Sequence, residues 1–338
     1  MSTVTTFVTY TIDSHIARLL EAVLPDLQAV EERIQQEISS PVRTIWSLGG
    51  HVLSSGGKRL RPALVCLSAY ATGLPVDRNR LIPLAAAAEL MHTATLIHDD
   101  VVDNTTTRRG RPTASALFGN GVTVLTGDYL LAKVMSLLAQ DGDIEIIRTV
   151  SQVALEMSEG EVLQMIHKAD VSISEQTYFD IIRKKTAVFI QGCCRTGALV
   201  TRAPQQVVEA LSHYGFHLGM AFQIADDLLD YTGNPVRMGK PMGSDLREGK
   251  FTLPLIIALR ESTPADRERL LQMVEAPVND GEIQQVVEII RRYDGFAKTR
   301  AVAVRHARQA AEALSALPPN AIRESLTALC DYIVERDV

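Results

Sequence analysis

The sequence contains few aromatic residues, few cysteines and no long apolar run. Aromatic side chains make up 5% of its 338 residues. The cysteines are Cys66, Cys193, Cys194 and Cys330, and none belongs to a CxxC pair or to a Cys/His cluster with zinc-ligand spacing. We therefore expect buried, reduced thiols. Because no run of roughly 18 apolar residues is present, a membrane-spanning helix is not expected. Since the N-terminus lacks a secretory signal pattern, we expect a cytoplasmic protein.

The charge balance and the apolar content exclude two further classes of protein. The chain has 40 acidic residues against 34 lysines and arginines, which gives a net charge of −6. This balance argues against a general nucleic-acid binder, because such proteins bind by neutralising phosphates. Hydrophobic residues make up 46% of the chain, so an intrinsically disordered protein is also excluded.

Helical patterns dominate the chain, and alternating strand patterns bounded by hairpin turns are missing. Segments rich in Ala, Leu, Glu, Gln and Arg, with apolar residues at three- and four-residue spacing, predict helices at 61–71, 80–102, 122–140, 144–167, 175–201, 204–231, 281–293, 299–317 and 320–336. We predict one all-α domain, a multi-helix bundle in which residues 1–40 form an N-terminal helical segment and residues 41–338 the remainder.

Two DDxxD clusters interrupt otherwise apolar helices. They consist of Asp99, Asp100 and Asp103, and of Asp226, Asp227 and Asp230. In each cluster the first and last aspartates lie about 40° apart on a helix, one turn from each other. Carboxylates that are crowded beside apolar residues favour a cation as partner, and hard oxygen ligands favour Mg²⁺ over zinc or copper. The alternative interpretation is a solvated acidic helix face.

Basic residues stand next to flexible backbone at three places. Gly57, Lys58 and Arg61 belong to GGKRLRP, Arg108 and Arg109 follow the first cluster, and Lys240 and Lys250 flank a glycine-containing segment after the second. Each place alone is typical of a solvated loop. Together with metal-binding aspartates, they indicate two phosphorylated ligands, one bridged by Mg²⁺ and one held by cations.

In order and spacing, these motifs resemble those of the trans-isoprenyl diphosphate synthases, the head-to-tail prenyltransferases. The matching segments extend from residue 56 towards the C-terminus and are GGKRLRP, HTATLIHDDVVD, RRGRPT, EGEVLQ, KKTA, FQIADDLLDYTG and GKPMGSDLREGKFTLP. Within the family, the sequence is most similar to the long-chain octaprenyl diphosphate synthases. The resemblance implies the all-α isoprenoid synthase fold with a central tail-binding cavity. It also implies a homodimer that touches the membrane at most transiently for product release.

The resemblance also implies roles for individual residues. The six aspartates are expected to hold three Mg²⁺ ions, or Mn²⁺, on the diphosphate of the allylic substrate. The isopentenyl diphosphate site is expected at Gly57, Lys58, Arg61, His92 and Arg109. Contacts to the allylic diphosphate are expected from Arg108, Lys185, Lys240 and Lys250, and the catalytic group comprises Lys185, Thr186, Gln223 and Lys240. Asp245 is a candidate outer-shell carboxylate, Gln164 is a weaker candidate and Glu161 receives no role.

The implied reaction is ionisation of the allylic diphosphate, attack by the isopentenyl double bond and loss of a proton. The released diphosphate is the expected base, because no His or Glu dyad is evident in the sequence. Small side chains at Ala94 and Thr95 replace the aromatic residues of short-chain members, which predicts an open channel with Met135 as a floor residue. We expect farnesyl or geranylgeranyl diphosphate as primer, an octaprenyl product and use in quinone side chains. Alternatively, the small residues merely permit close helix packing.

Three other functions are compatible with parts of this pattern. A class I terpene cyclase or a head-to-head synthase would not need the second diphosphate site of GGKRLRP, His92 and Arg109. A non-catalytic subunit would usually lack aspartates from one cluster, and here both are whole. A helical scaffold without catalysis would explain neither feature.

Overall fold

The architecture is taken from a computed structural model that describes residues 18–54, 56–108, 110–233, 241–274 and 278–335. These residues form an all-α fold, as predicted. The helices are α1 (Leu24–Glu37), α2 (Arg43–Ser54), α3 (Leu60–Ala71), α4 (Arg78–Val102), α5 (Ala114–Phe118), α6 (Asn120–Asp141), α7 (Ile144–Ile166), α8 (Glu175–Ile182), α9 (Val188–Val200), α10 (Gln205–Thr232), α11 (Ser244–Arg247), α12 (Leu253–Glu261), α13 (Pro264–Val274), α14 (Asp280–Arg292), α15 (Gly295–Ala313) and α16 (Ala321–Glu335). A π-helical turn spans Arg183–Ala187, and 3₁₀ turns span Glu21–Val23 and Leu314–Ala316.

Contacts between Cα atoms group the chain into two compact units, which are described separately. Unit 1 comprises Met1–Thr149, Cys193–Val208 and Pro318–Ser325, and unit 2 comprises Val150–Gly192, Glu209–Leu317 and Leu326–Val338. The predicted boundary at residue 40 does not coincide with a boundary between these units and stays a prediction.

In unit 1 the core is organised around α4. This helix packs against α1, α3 and α6, and side chains such as Leu81, Leu90 and Ile97 are fully buried. The Asp77 carboxylate accepts a hydrogen bond from the Asn79 backbone N–H and so caps the first turn of α4. Helix α6 approaches α4 closely at Gly127, where a Cβ atom would lie 2.3 Å from Nε2 of His98. A side chain at this position would therefore require the His98 ring to move.

In unit 2 the core surrounds α12, a helix that is buried on all sides from Leu253 to Leu259. It packs against α8, α14 and α15. A helix that is apolar all round has no apolar stripe, which explains why the sequence did not predict it. The sequence also missed α2 and α13, whereas α1 lies within the predicted N-terminal helical segment.

Two local features differ from the prediction. The helix expected over 175–201 is divided by the π-helical turn into α8 and α9. Two short antiparallel strands, β1 (Thr107–Arg108) and β2 (Arg111–Pro112), form a hairpin where no strand was expected. All four cysteines are buried and free, in agreement with the prediction.

By length and composition alone, two helices, α4 and α6, could cross a membrane, although the sequence argued against such a helix. The apolar window of α4 is 61% buried in the protein and that of α6 is 39% buried. Core helices of soluble proteins pass the same test, so this finding is weak evidence for a membrane span.

Candidate active site

The first DDxxD lies at the C-terminal end of α4 in unit 1. Ala88, His92, Thr95, Asp99 and Asp103 are all half-buried, and their spacing of three or four residues places them on one face of the helix. We call these five residues the α4 stripe. Because the C-terminus of a helix carries partial negative charge, aspartates at this end are unfavourable without a cation. The α4 stripe is therefore a candidate for the metal site and for the lining of the substrate tail, and both roles stay predictions.

Asp100 differs from its neighbours in the motif. Its side chain is buried, and its Oδ1 accepts a hydrogen bond from Nε of Arg108 at 2.8 Å. Arg108 belongs to β1, so this ion pair fixes the hairpin to the end of α4. Two residues that were predicted to contact the metal and the allylic diphosphate are thus paired with each other. Arg109, the next predicted cation, lies outside the described residues.

The GGKRLRP loop leads into α3 and contains an ion network that the sequence analysis missed. Arg59 is buried, has a φ of +47°, and pairs with Glu31 of α1 at 3.0 Å and with Glu89 of α4 at 2.8 Å. The flanking Lys58 is exposed, so its ammonium group is accessible to an anion. Burial lowers the pKa of Arg61, and the nearby Glu89 acts in the opposite direction.

Gly57 and His92, the other described residues of the predicted isopentenyl diphosphate site, are half-buried. His92 belongs to the α4 stripe, and Gly57 precedes Lys58 in the GGKRLRP loop. Both therefore lie in unit 1, like the first aspartate motif.

Unit 2 contains a pocket that gathers most of the predicted residues of that unit. We call it the unit-2 pocket, and its lining is Gln164, His167, Lys168, Ile173, Tyr178, Ile181, Ile182, Lys185, Thr186, Gln223, Asp226, Asp227, Asp245, Gly249, Lys250, Phe251 and Thr252. Lys185, Thr186, Gln223, Asp226, Asp227, Asp245 and Lys250 were predicted for the site. Lys240 lies outside the described residues.

A chain of hydrogen bonds links four of the residues that line this pocket. The Thr186 hydroxyl donates to Oε1 of Gln223 at 2.7 Å, and Nε2 of Gln223 donates to Oδ1 of Asp227 at 2.7 Å. The Tyr178 hydroxyl donates to the other oxygen of Asp227 at 2.6 Å. Burial raises the pKa of Asp227 to about 7. Through its hydrogen bond, Asp227 orients the amide of Gln223. Tyr178 was not among the residues predicted for the site.

The last aspartate of the second motif points elsewhere. Oδ2 of Asp230 accepts a hydrogen bond from the backbone N–H of Asp245 at 3.0 Å, and its carbonyl accepts one from Gly243 at 2.9 Å. Asp230 is buried and does not line the unit-2 pocket. Of the three aspartates, Asp226 is thus the half-buried one that faces the pocket.

Lys185 is held by the facing helix α7. Its ammonium group pairs with Glu161 at 2.5 Å and donates a hydrogen bond to Gln164. The neighbouring Arg183 pairs with Glu156 of the same helix at 2.6 Å. No role was expected for Glu161, and Gln164 was only a weak candidate. Their three-residue spacing, which places both on one face of α7, is the signal that was available.

The two chain-length positions beside Asp99 differ in exposure. Ala94 is 0% exposed, whereas Thr95 belongs to the half-buried α4 stripe. Met135 is 70% exposed on α6. A side chain on the outer surface cannot close an internal channel of a single chain, so the prediction of Met135 as a floor residue is corrected here.

The donors that the structure offers fit Mg²⁺. Among the described residues, no group of three or more His, Cys, Asp or Glu side chains could hold a metal ion by itself. Mg²⁺ is usually bound by one or two carboxylates together with waters and substrate phosphates, rather than by a cage of protein ligands. In unit 2, Asp226 provides such a carboxylate, and Lys185 and Lys250 are suited to the accompanying phosphates. In unit 1, Asp99 provides a further carboxylate of this kind.

The chain was compared with known proteins. A family model described as polyprenyl synthetase matches residues 43–290. The octaprenyl diphosphate synthase of Escherichia coli is 35% identical over 323 residues, which cover 96% of this chain and 99% of that protein. A short chain isoprenyl diphosphate synthase of Methanothermobacter thermautotrophicus is 35% identical over 92% of this chain and 96% of that protein. The crystal structure of a decaprenyl diphosphate synthase from Rhodobacter capsulatus superposes with a TM-score of 0.90 at 37% identity, covering 96% of this chain and 99% of that one.

Proposed function

Because this chain belongs to the polyprenyl synthetase family and is a trans-polyprenyl diphosphate synthase, we propose that it joins isopentenyl diphosphate to farnesyl or geranylgeranyl diphosphate. The product we propose is a long all-trans polyprenyl diphosphate of octaprenyl length, made in the cytoplasm for quinone side chains. The observation that carries the proposal is the unit-2 pocket, where Asp226, Lys185 and Lys250 line one cavity. Such a combination suits a diphosphate that is bound through Mg²⁺.

We propose that Asp99 and Asp103 of unit 1 and Asp226 of unit 2 hold Mg²⁺. The resemblance to the trans-isoprenyl diphosphate synthases implies three such ions. The ions, when bound, neutralise the charge of the leaving diphosphate. The chain itself orients and shields the substrate. Thr186 and Gln223 present oxygens that stabilise positive charge on the allylic carbon. Ile181, Ile182 and Phe251 line the pocket with apolar surface that excludes water.

The function is tested by incubating the purified chain with radiolabelled isopentenyl diphosphate, farnesyl diphosphate and Mg²⁺, and by separating the products by length. A ladder that ends near the octaprenyl product supports the proposal. Hydrocarbon formed without incorporation of label would indicate a terpene cyclase. Activity that depends on an added partner protein would indicate a subunit of a two-protein enzyme.

Product length is expected to depend on Thr95. Because Thr95 lies one turn before Asp99 on the α4 stripe, Thr95→Phe should block the path of the growing tail and shorten the product to about the farnesyl or geranylgeranyl stage. Ala88→Phe, seven residues earlier on the same face, lies about 10 Å further from Asp99 and should give a longer product than Thr95→Phe.

The channel hypothesis fails if both variants give the wild-type product length. Ala94→Tyr is a less clean test, because Ala94 is fully buried and a tyrosine there must displace core side chains.

We also propose a homodimer that uses the exposed face of α6. Leu125 is 68% exposed and Met135 is 70% exposed on this helix, which is unusual for side chains of this size. Leu125→Glu combined with Met135→Glu should convert a dimer into a monomer, as measured by light scattering after size exclusion. Val304→Glu on α15, where the side chain is also exposed, is the matched control and should leave the mass unchanged. A wild-type chain of monomer mass would contradict the proposal.

A further inference from the structure

The unit-2 pocket also contains an imidazole and an ammonium group to which the proposed reaction assigns no role. His167 and Lys168 follow the last residue of α7 and line the pocket beside Lys185, Lys250 and Asp226. No histidine dyad is evident in the sequence, but the structure contains an imidazole–carboxylate pair here. Nδ1 of His167 lies 2.8 Å from Oδ2 of Asp170.

The carboxylate of this pair is itself held in place. Oδ1 of Asp170 accepts hydrogen bonds from the backbone N–H of Ser172 at 2.9 Å and from its hydroxyl at 2.6 Å. The bond from the Ser172 hydroxyl, then the one from His167 and then the one from the Ser172 backbone hold the pKa of Asp170 below its usual range. Asp170 is therefore an anion that fixes the orientation of the His167 ring.

The turn that carries His167 is also attached to the segment that carries Lys250. The backbone N–H of Ala169 donates to the carbonyl of Gly249 at 2.8 Å, and both residues have positive φ, +60° at Ala169 and +73° at Gly249. A Cβ at Gly249 would lie 3.3 Å from the nitrogen of Ala169, so the two turns are in close contact. This contact joins the backbone segments that carry His167 and Lys250, and both residues line the pocket.

We propose that His167 binds the diphosphate of the allylic substrate through Nε2. Asp170 occupies Nδ1, which leaves Nε2 as the ring nitrogen for a ligand. Diphosphate is the ligand that fits, because Lys168, Lys185 and Lys250 line the same pocket and an imidazolium between a carboxylate and a phosphate is stabilised by both anions. This inference rests on the proposed function, since it assumes an allylic diphosphate in the unit-2 pocket.

The test separates the two substrates kinetically. Initial rates are measured with Mg²⁺ for wild type, His167→Asn and His167→Lys, varying farnesyl diphosphate and isopentenyl diphosphate in turn. For His167→Asn we expect KM for farnesyl diphosphate to rise about tenfold, as for loss of one hydrogen bond to a charged group. KM for isopentenyl diphosphate should change less than about twofold. His167→Lys restores a cation and should recover most of the loss.

The matched control is His213→Asn, which removes an exposed histidine of α10 that does not line the pocket. It should leave both KM values unchanged. Asp170→Ala frees the ring and should raise KM for farnesyl diphosphate less than His167→Asn does. Circular dichroism checks that each variant is folded, and binding of inorganic pyrophosphate with Mg²⁺, measured by calorimetry, gives a second readout that should weaken in His167→Asn.

An unchanged KM for farnesyl diphosphate in His167→Asn would overturn the inference, as would an equal rise for both substrates. The same holds if His167→Asn binds pyrophosphate as tightly as wild type does. A wild-type chain that elongates no primer would contradict the proposed function itself, and this inference would fall with it.

Discussion

Asp226→Ala is expected to lower turnover on the order of a thousandfold while the fold stays intact, because a carboxylate that helps bind the metal on the leaving group is lost. Asp226 is the aspartate of the second motif that is half-buried and faces the unit-2 pocket. Its replacement leaves the bonds of Asp227 to Tyr178 and Gln223 in place. The measurement is kcat at saturating substrates, with the melting temperature as a check on folding.

Asp230→Asn is the matched control for this variant. The asparagine oxygen can still accept the hydrogen bond from the backbone of Asp245, so we expect a much smaller loss than for Asp226→Ala. Asp99→Ala tests the first motif separately and should also lower turnover by orders of magnitude. Near-normal rates in a folded Asp226→Ala protein would refute the assignment of the second motif as a metal site.

The second large effect is expected on stability. Arg59→Met leaves the carboxylates of Glu31 and Glu89 without the guanidinium that lies between them. Removing one partner of a buried ion pair typically costs about 3–5 kcal/mol. We therefore expect a loss of this size in the free energy of unfolding, measured by urea denaturation of the purified protein.

Two variants define this result. Arg33→Met breaks the pair that the partly exposed Arg33 makes with Glu37, one turn later on α1. This variant should lower the free energy of unfolding by no more than about 1 kcal/mol. Adding Glu31→Gln and Glu89→Gln to Arg59→Met removes both stranded charges and should recover part of the loss. If Arg59→Met costs no more than Arg33→Met, the network does not stabilise the fold.

The sequence predicted the fold class and the residue types of the site because both depend on local patterns. Apolar spacing identified the long helices, and the two DDxxD clusters identified carboxylates one turn apart. The sequence could not show that residues of one motif have different surroundings and different partners. Asp226, Asp227 and Asp230 belong to one cluster. Of these, the half-buried Asp226 faces the pocket, Asp227 is bonded to Tyr178, and Asp230 accepts a bond from a backbone turn.

The partners of the predicted residues were also beyond the sequence. Lys185 was predicted for its motif, but its pairing with Glu161 depends on which face of α7 packs against the π-helical turn. Arg59 stands between two predicted cations, and only the tertiary structure shows that it is turned inward towards Glu31 and Glu89. Local sequence patterns do not predict such contacts, because the partners are far apart in the chain.

The π-helical turn at Arg183–Ala187 also bears on how insertions and deletions at this position would act. A turn of this kind contains about one residue more than the α-helical turn it replaces. Because the extra residue is absorbed in the wider turn, deleting one residue would restore regular α-helical winding and change the orientation of α9 relative to α8 little. Both helices would survive, but Lys185 and Thr186 could no longer face the same partners. Natural variation in length should therefore be tolerated in surface loops and selected against at this turn.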